Sequence, residues 1–289
     1  MCSSDLLDWY SNHIERPNII QYLPTTPGDI ALHINFGRFL NDPVYGLDPT
    51  KFTNPQLKIT LDKDAGGMNN SQIIMSIFAH LFDEKAATPT GFLMAKEIKD
   101  YSLAGGSHEY TPMPTDYPYR KLLLQSQVAG VGVEYTFGNI KLSEDNDKRI
   151  PFDMTGDELL WEMKRTNPEY IETVYSLINS SATLFRVTPA EDAIIIGTNT
   201  GALQDLFIVF QNGGLVTGTT QTSGETVYMI CKGYIPHGLV SLPFGDPAKP
   251  ADWYDVTKVG DLRLRLKAGA DLSTTPTAQI ITQQLRPYA

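Results

Sequence analysis

The chain has very few cysteines, and this scarcity limits the kind of protein it can be. Its 289 residues include two, Cys2 and Cys231. Two cysteines do not make the disulfide framework of a small secreted domain, so we expect a chain that folds in a reducing cytosol. No run of about 18 apolar residues occurs, so no transmembrane helix is predicted. Residues 1–17 show no basic stretch followed by an apolar one, and no signal peptide is predicted there.

The chain is also short of positive charge. It has 23 Lys and Arg residues against 33 Asp and Glu, a formal net charge of −10. Affinity for nucleic acid comes mainly from Lys and Arg that neutralise phosphates, so we expect no direct nucleic-acid binding. The hydrophobic share of 42% and the charged share of 19% are those of an ordinary folded protein.

The usual catalytic and cofactor motifs are missing. There is no Gly-rich phosphate loop that ends in Gly-Lys-Ser/Thr, no Gly-x-Ser-x-Gly elbow and no His-Glu-x-x-His. The histidines are scattered and no two stand at metal-ligand spacing. They are His13, His33, His80, His108 and His237. We therefore predict that the protein is not an enzyme and has no catalytic, cofactor-binding or metal-binding residues.

Three acidic groups are weaker candidates for chemistry. Asp62 and Asp64 begin a turn with some Ca²⁺-loop character, but the twelfth position is Ile73, so a plain turn is favoured. Residues 144–147 (Glu-Asp-Asn-Asp) form a charge run for which a solvated loop is favoured. Whether either group binds a divalent cation is open. Glu97 and Glu134 are a candidate carboxylate pair of a glycosidase, although the sequence does not fix their separation.

What the chain does contain is a clear alternating strand near its end. Leu262, Leu264 and Leu266 alternate with Arg263, Arg265 and Lys267. A period of two gives a strand one apolar and one cationic face, so the leucines are predicted to face a core. A second extended run at 277–286 is expected to pair with this strand as a terminal hairpin and to close a sheet.

The remaining strand and helix signals divide the chain into two β blocks. The first block has about seven strands, among them residues 29–36, 56–61, 92–98, 119–127, 131–137 and 140–142, with a helix at 71–82 and an irregular loop at 104–118. A capping box at Thr155–Glu158 begins a helical linker, and a second helical turn set is predicted from Asn167-Pro168 through Ile178. Eight strands follow, at residues 184–187, 193–197, 206–212, 215–219, 226–234, 238–242, 262–267 and 277–286.

The predicted architecture is therefore all-β, with two tandem jelly-roll β-sandwiches joined by a helical linker. The predicted domains are an N-terminal arm at 1–27, a first jelly roll at 28–154, the linker at 155–180 and a second jelly roll at 181–289. Each block has the size of one small sandwich.

Several of these segments together carry a resemblance to a known family. They are residues 118–124 (PYRKLLL), 139–142 with the acidic loop that follows, 235–238, 242–245, 260–266 and 279–285. With two sandwich blocks around a helix, they resemble the double jelly-roll major capsid proteins of tailless icosahedral viruses, especially phages with an internal membrane. The resemblance extends over nearly the whole chain as architecture.

The resemblance implies a viral structural protein made in the host cytoplasm and located in the virion. It implies a homotrimer, with six sandwiches in a pseudo-hexagonal capsomer that tiles an icosahedral shell. Neighbouring capsomers are the expected partners, with vertex (penton) and membrane-associated virion proteins as further ones, and no catalytic residue or cofactor is implied. Two alternatives stay open: a carbohydrate-binding or carbohydrate-active β-sandwich protein with Trp253-Tyr254 as its aromatic platform, and a trimeric spike protein.

Overall fold

The structure is a computed structural model. It describes residues 34–60, 74–83, 87–126, 128, 130–167, 169–178, 183–186, 193–199, 207–211, 213, 215–218, 225–236, 238–242, 244–270, 272 and 276–288. The predicted N-terminal arm at 1–27 lies outside the described residues, as do Asp62, Asp64 and most of the predicted strand at 29–36.

The described residues form fourteen β-strands and two α-helices, so the all-β prediction is confirmed. The strands are β1 Gly91–Ser102, β2 His108–Pro112, β3 Tyr119–Ser126, β4 Phe137–Glu144, β5 Arg149–Met154, β6 Tyr170–Ile178, β7 Thr183–Arg186, β8 Ala193–Asn199, β9 Phe207–Gln211, β10 Leu215–Gly218, β11 Glu225–Gly233, β12 Leu239–Leu242, β13 Leu262–Ala268 and β14 Thr277–Pro287. The helices are α1 Val133–Thr136 and α2 Gly156–Thr166, and single 3-10 turns occur at Pro49–Lys51 and Pro250–Asp252.

Eight of the strands form one β-sandwich with jelly-roll pairing. One sheet has the order β1-β14-β3-β12 and the other β2-β13-β4-β5. Along the chain, the first of these eight strands pairs with the last (β1 with β14), the second with the seventh (β2 with β13), the third with the sixth (β3 with β12) and the fourth with the fifth (β4 with β5), all antiparallel. A ribbon of nested antiparallel pairs rolled into two sheets is a jelly roll.

The other six strands form an insertion between β5 and β12. They make a sheet of order β6-β11-β8-β9 and a two-stranded sheet of β7 and β10. The tandem arrangement is thus not confirmed. Strands from both predicted jelly-roll blocks, 28–154 and 181–289, share the same two sheets of the sandwich, because β13 and β14 pair with β1 to β4.

The core lies between the two sheets of the sandwich. Leu262, Leu264 and Leu266 of β13 are 1%, 0% and 1% exposed, and they pack with Leu122 and Leu124 of β3. The inward direction predicted for the three leucines is confirmed, and of the alternate residues Arg263 and Lys267 are exposed and Arg265 is half-buried. The predicted terminal hairpin is wrong, because β13 and β14 lie in different sheets.

Several local predictions differ from the structure because long-range pairing decides the element. Residues 74–83 of the predicted helix contain no helix, and residues 56–60 form no strand. The second helical turn set is strand β6, which pairs along its full length with β11. The predicted loop at 104–118 contains β2, which pairs with β13, and the strand at 131–137 is largely α1. The capping box at Thr155 and Glu158 is present at the start of α2 as predicted.

Candidate functional site

The outer face of the β1-β14-β3-β12 sheet is buried at its centre, although the middle of β1 at its edge is exposed. Leu123 and Ile281 alternate with core residues and so point away from the sandwich interior, yet each is 1% exposed. Part of the cover comes from two described segments, residues 36–52 and 244–256. Tyr45 and Trp253 from these segments pack with Leu93 of β1 in a second small apolar cluster. Two loops are therefore fastened to the outside of the jelly roll.

Arg120 of β3 forms hydrogen bonds with both loops. It is 2% exposed. Its Nε donates to the carbonyl of Pro247 at 2.8 Å, its Nη1 to Oε1 of Gln283 at 2.7 Å, and its Nη2 to the carbonyl of Arg38 at 3.4 Å. Burial lowers the pKa of the Arg120 guanidinium to about 10, so it stays charged at neutral pH. A buried cation of this kind is tolerated because its donors are occupied.

An ion pair between Arg38 and Asp42 closes the first loop. Arg38 donates to the Asp42 carboxylate from Nε at 2.7 Å and from Nη2 at 2.9 Å, and the backbone N–H of Val44 donates to it at 3.0 Å. Asp42 is 1% exposed. A Cβ on Gly37 would lie 2.5 Å from the carbonyl oxygen of Tyr45, so the loop closes on itself only with glycine at this position. Arg38 also reaches the carbonyl of Ala248 at 3.2 Å and so ties the two loops together.

Tyr288 fastens the remainder of the first loop. Its ring stacks on Phe92 of β1 at a centroid distance of 5.8 Å and meets Phe52 edge-on. Its hydroxyl donates to the carbonyl of Gly46 at 2.8 Å and accepts from the N–H of Asp48 at 2.7 Å. The loop from Arg38 to Phe52 is therefore attached to the sandwich by hydrogen bonds and ring contacts.

The same part of the chain carries most of the exposed apolar surface. Thirteen of the eighteen large apolar side chains that are exposed in the described residues lie between positions 34 and 82. They are Ile34, Phe36, Phe39, Leu40, Val44, Leu57, Ile59, Ile74, Met75, Ile77, Phe78, Leu81 and Phe82. Large exposed apolar patches on a soluble protein mark interaction surfaces, so residues 34–82 are the first candidate for such a surface.

The acidic loop at 144–147 already has protein donors for its carboxylates. Glu144 accepts from Nη1 of Arg149 at 2.7 Å and from the hydroxyl of Tyr254. Asp145 accepts from two backbone N–H groups, at 2.9 and 3.1 Å. Asp147 receives Arg265 at 3.1 Å and the Ser143 hydroxyl at 2.6 Å, and this hydroxyl holds the pKa of Asp147 below its usual value. The carboxylates of this hairpin turn are therefore paired with arginine side chains, hydroxyl groups and backbone N–H groups.

The structure separates the other sequence candidates. Glu97 is on the exposed side of β1, where Gln279 donates to it at 3.2 Å, while Glu134 is in α1 before β4 of the opposite sheet. Trp253 is 5% exposed and its Nε1 donates to the carbonyl of Pro247 at 3.1 Å. Trp253 of the proposed aromatic platform is therefore buried, packed with Tyr45 and Leu93. Tyr254 beside it is stacked on Phe244 at 4.8 Å.

Within the part of the chain that the structure describes, His, Cys, Asp and Glu side chains form no group of three that would hold a metal ion. The helices of that part are all too short or too polar to cross a bilayer.

The loop attachments were not predicted, although the sequence carries one signal for them. Arg120 and Lys121 precede three consecutive leucines in β3, and both are buried. Charged residues in a strand covered on both faces require partners from elsewhere in the chain. The sequence does not show that those partners are at Arg38, Pro247 and Gln283, because their separations exceed 80 positions.

The strand pairing defines a jelly-roll β-sandwich protein with a six-stranded insertion. No family model matches the chain, and no curated protein matches it. Among solved structures it is similar to the major capsid protein P2 from Bacteriophage PM2, with 9% sequence identity, a TM-score of 0.22, and coverage of 68% of this chain and 98% of that one. At this TM-score the fold assignment rests on the strand pairing described above.

Proposed function

We propose that this chain is the major capsid protein of an icosahedral virus, a structural subunit that forms trimers and then a shell. The observation that carries the proposal is the concentration of exposed apolar side chains at residues 34–82, three of which (Phe39, Leu40 and Val44) lie on the loop fixed to the body by Arg120, Arg38 and Tyr288. A jelly roll is the fold of many capsid subunits, but lectins and cupins share it, so fold alone does not decide. A rigidly presented apolar surface favours permanent self-association.

The insertion supplies the second roll that a pseudo-hexagonal capsomer needs. Its strands pair in the same nested manner as those of the sandwich, first with last (β6 with β11), second with fifth (β7 with β10) and third with fourth (β8 with β9). We infer a double jelly roll in which the second roll is nested inside the first instead of following it. Three such subunits would place six rolls in one capsomer.

In this proposal the protein is made in the host cytoplasm and resides in the virion. Its main partners are copies of itself, in the trimer and in neighbouring capsomers, with vertex and membrane-associated virion proteins as further partners. It turns over no substrate and uses no cofactor, and its charge of −10 argues against contact with nucleic acid. The carbohydrate alternative is weakened by the burial of Trp253.

Native mass spectrometry with negative-stain imaging tests the proposal. We expect a species of about three times 32.1 kDa and pseudo-hexagonal particles that associate into sheets or shells. Trimers that form elongated particles and never tile would favour the spike alternative. A monomer at every concentration up to the solubility limit would contradict both.

A further inference from the structure

One part of the apolar surface has a regular spacing, the segment of residues 74–83 (IMSIFAHLFD). All ten of its residues are exposed. The four most exposed of its large apolar side chains are Ile74 at 91%, Leu81 at 87%, Phe78 at 85% and Ile77 at 64%. These positions are i, i+3, i+4 and i+7, which is one face of an α-helix. The backbone of the segment nevertheless has no helical or strand hydrogen bonding among the described residues.

The segment has a physical reason not to be helical in a single chain. A helix of ten residues is marginal in water because nucleation fixes several residues for one hydrogen bond. Most helical stability in proteins comes from packing the apolar face, and in the described structure this face packs on nothing. Helix formation would therefore accompany docking of the face onto another surface.

One end of the segment is fixed on the body. The ring of Phe82 lies against Gly46, where an added Cβ would be 3.3 Å from Phe82 Cε2. Gly46 is itself held by Tyr288. The 74–83 segment thus contacts the subunit body through Phe82, beside the first loop.

The composition of the segment favours a protein surface over a lipid one. Helices that lie on anionic membranes carry Lys and Arg on their polar face. The polar residues here are Ser76, His80 and Asp83, without a Lys or Arg, and the whole chain is acidic. Two copies of a protein with net charge −10 repel each other, so a contact between copies is best made through an uncharged apolar stripe.

The available area is a large part of what a contact between copies needs. The four stripe side chains expose on the order of 500 Å², and a stable interface needs about 800 Å² from each partner. Leu57 and Ile59, exposed by 60% and 44%, are further exposed apolar side chains in the same part of the chain.

We propose that the 74–83 segment folds into an amphipathic helix against a second copy of this chain, and that this contact holds the trimer together. The inference rests on the proposed self-assembly and names the element that performs it.

The test compares variants of the full chain by native mass spectrometry over a dilution series. Phe78→Ser/Leu81→Ser is expected to raise the concentration of half-dissociation at least tenfold. A matched control, Trp161→Ser/Ile171→Ser, removes two exposed apolar side chains outside the segment (65% and 52% exposed). It is expected to change the concentration of half-dissociation less than twofold. Amide hydrogen exchange at 75–83 should slow on assembly.

Single serine substitutions distinguish a docked helix from a docked strand. A helix predicts that Ile74, Ile77, Phe78 and Leu81 are all sensitive, whereas a strand has a period of two and separates Ile74 and Phe78 from Ile77 and Leu81. Sensitivity of one of these two pairs alone would overturn the helical assignment.

The outcomes separate this inference from the proposed function. If the unaltered chain trimerises and Phe78→Ser/Leu81→Ser trimerises equally well, the segment is not the contact, while the capsid proposal stands. If the unaltered chain is monomeric, the capsid proposal itself fails. Flotation of the unaltered chain with vesicles of phosphatidylcholine and phosphatidylglycerol, abolished by the same double substitution, would show that the stripe docks on lipid and would overturn the inference.

Discussion

At the scale of single residues, the protein depends on a few charged side chains that lie where charges are costly. Asp42 is the clearest case, with a carboxylate that is buried and accepts from Arg38 and from backbone N–H groups. Burial alone would raise the pKa of Asp42, but the hydrogen bonds from Arg38 and Val44 outweigh it, and the pKa lies below its usual value of 3.8. The loop conformation therefore requires the ionised form of the Asp42 carboxyl group.

This environment predicts an acid-sensitive loop. A carboxyl group with a depressed pKa stabilises the folded state above its unfolded pKa of 3.8, and the contribution is lost as the pH falls through the lower folded value. We expect hydrogen exchange of residues 38–46, corrected for the intrinsic rate at each pH, to increase below about pH 4. Asp42→Asn should make the loop exchange rapidly at neutral pH and cost about 2–3 kcal/mol, because Arg38 loses its charged partner.

Asp48 serves as the matched control for the acid response. Its pKa is also lowered, mainly by the Thr50 hydroxyl, but its carboxylate accepts from Thr50 at the start of the 3-10 turn and not from residues 38–46. Asp48→Asn should leave exchange at residues 38–46 unchanged. Equal behaviour of the two variants would contradict the role given to Asp42.

At the scale of elements, the sequence predicts a strand best where its own alternation of apolar and polar residues is strong. Such a strand can be recognised without knowing which other strand pairs with it. All eight strands predicted after position 180 are present, from β7 to β14. The failures are at β2, β6 and the 74–83 segment. β2 has Pro112 at its end and little apolar alternation, and it is a strand because β13 pairs with it. β6 has helical spacing of Ile171, Val174 and Ile178, but pairing with β11 overrides that period.

The alternation of β13 gives a prediction with a built-in control. Leu264 is 0% exposed and Arg263, its neighbour, points out of the sandwich. Leu264→Ala is expected to lower the free energy of unfolding by about 2–5 kcal/mol, and Leu264→Asp to abolish folding by placing an unpaired charge in the core. Arg263→Ala should change the free energy of unfolding by about 0.5 kcal/mol or less. Urea denaturation followed by circular dichroism measures all three, and similar losses for Leu264→Ala and Arg263→Ala would refute the inward assignment.

At the scale of the whole molecule, the architecture could not be predicted from local patterns. The sequence shows two groups of strands on either side of a helix, and this pattern is compatible with two rolls in tandem or with one roll inserted into another. The difference lies in which strands pair across long separations, for example Gly91 with Pro287. Likewise, the exposed stripe at 74–83 is visible in the sequence as a helical period, but its exposure is visible only in the structure.

The strand pairing predicts that the eight-stranded jelly roll can fold without the six-stranded insertion. Tyr170 pairs with Gly233 at the base of the insertion, and antiparallel partners lie about 5 Å apart, so the chain enters and leaves at the same place. Replacing residues 173–230 with Asn-Gly should close the β6 and β11 stubs with a two-residue turn and leave all eight sandwich strands in place. We expect a cooperative thermal transition and a β-sheet circular dichroism spectrum.

Some loss of stability should accompany the excision, because Gly213 lies against the backbone of Val128 and Val131 and its removal uncovers that turn. The same shortened chain with Leu264→Asp provides the unfolded reference, since its core depends on β13 whether or not the insertion is present. Two tandem rolls would respond differently. Excision of 173–230 would then remove most strands of the second roll and would leave β12, β13 and β14 without pairing partners. A shortened chain that shows no cooperative transition would therefore count against the nested jelly roll.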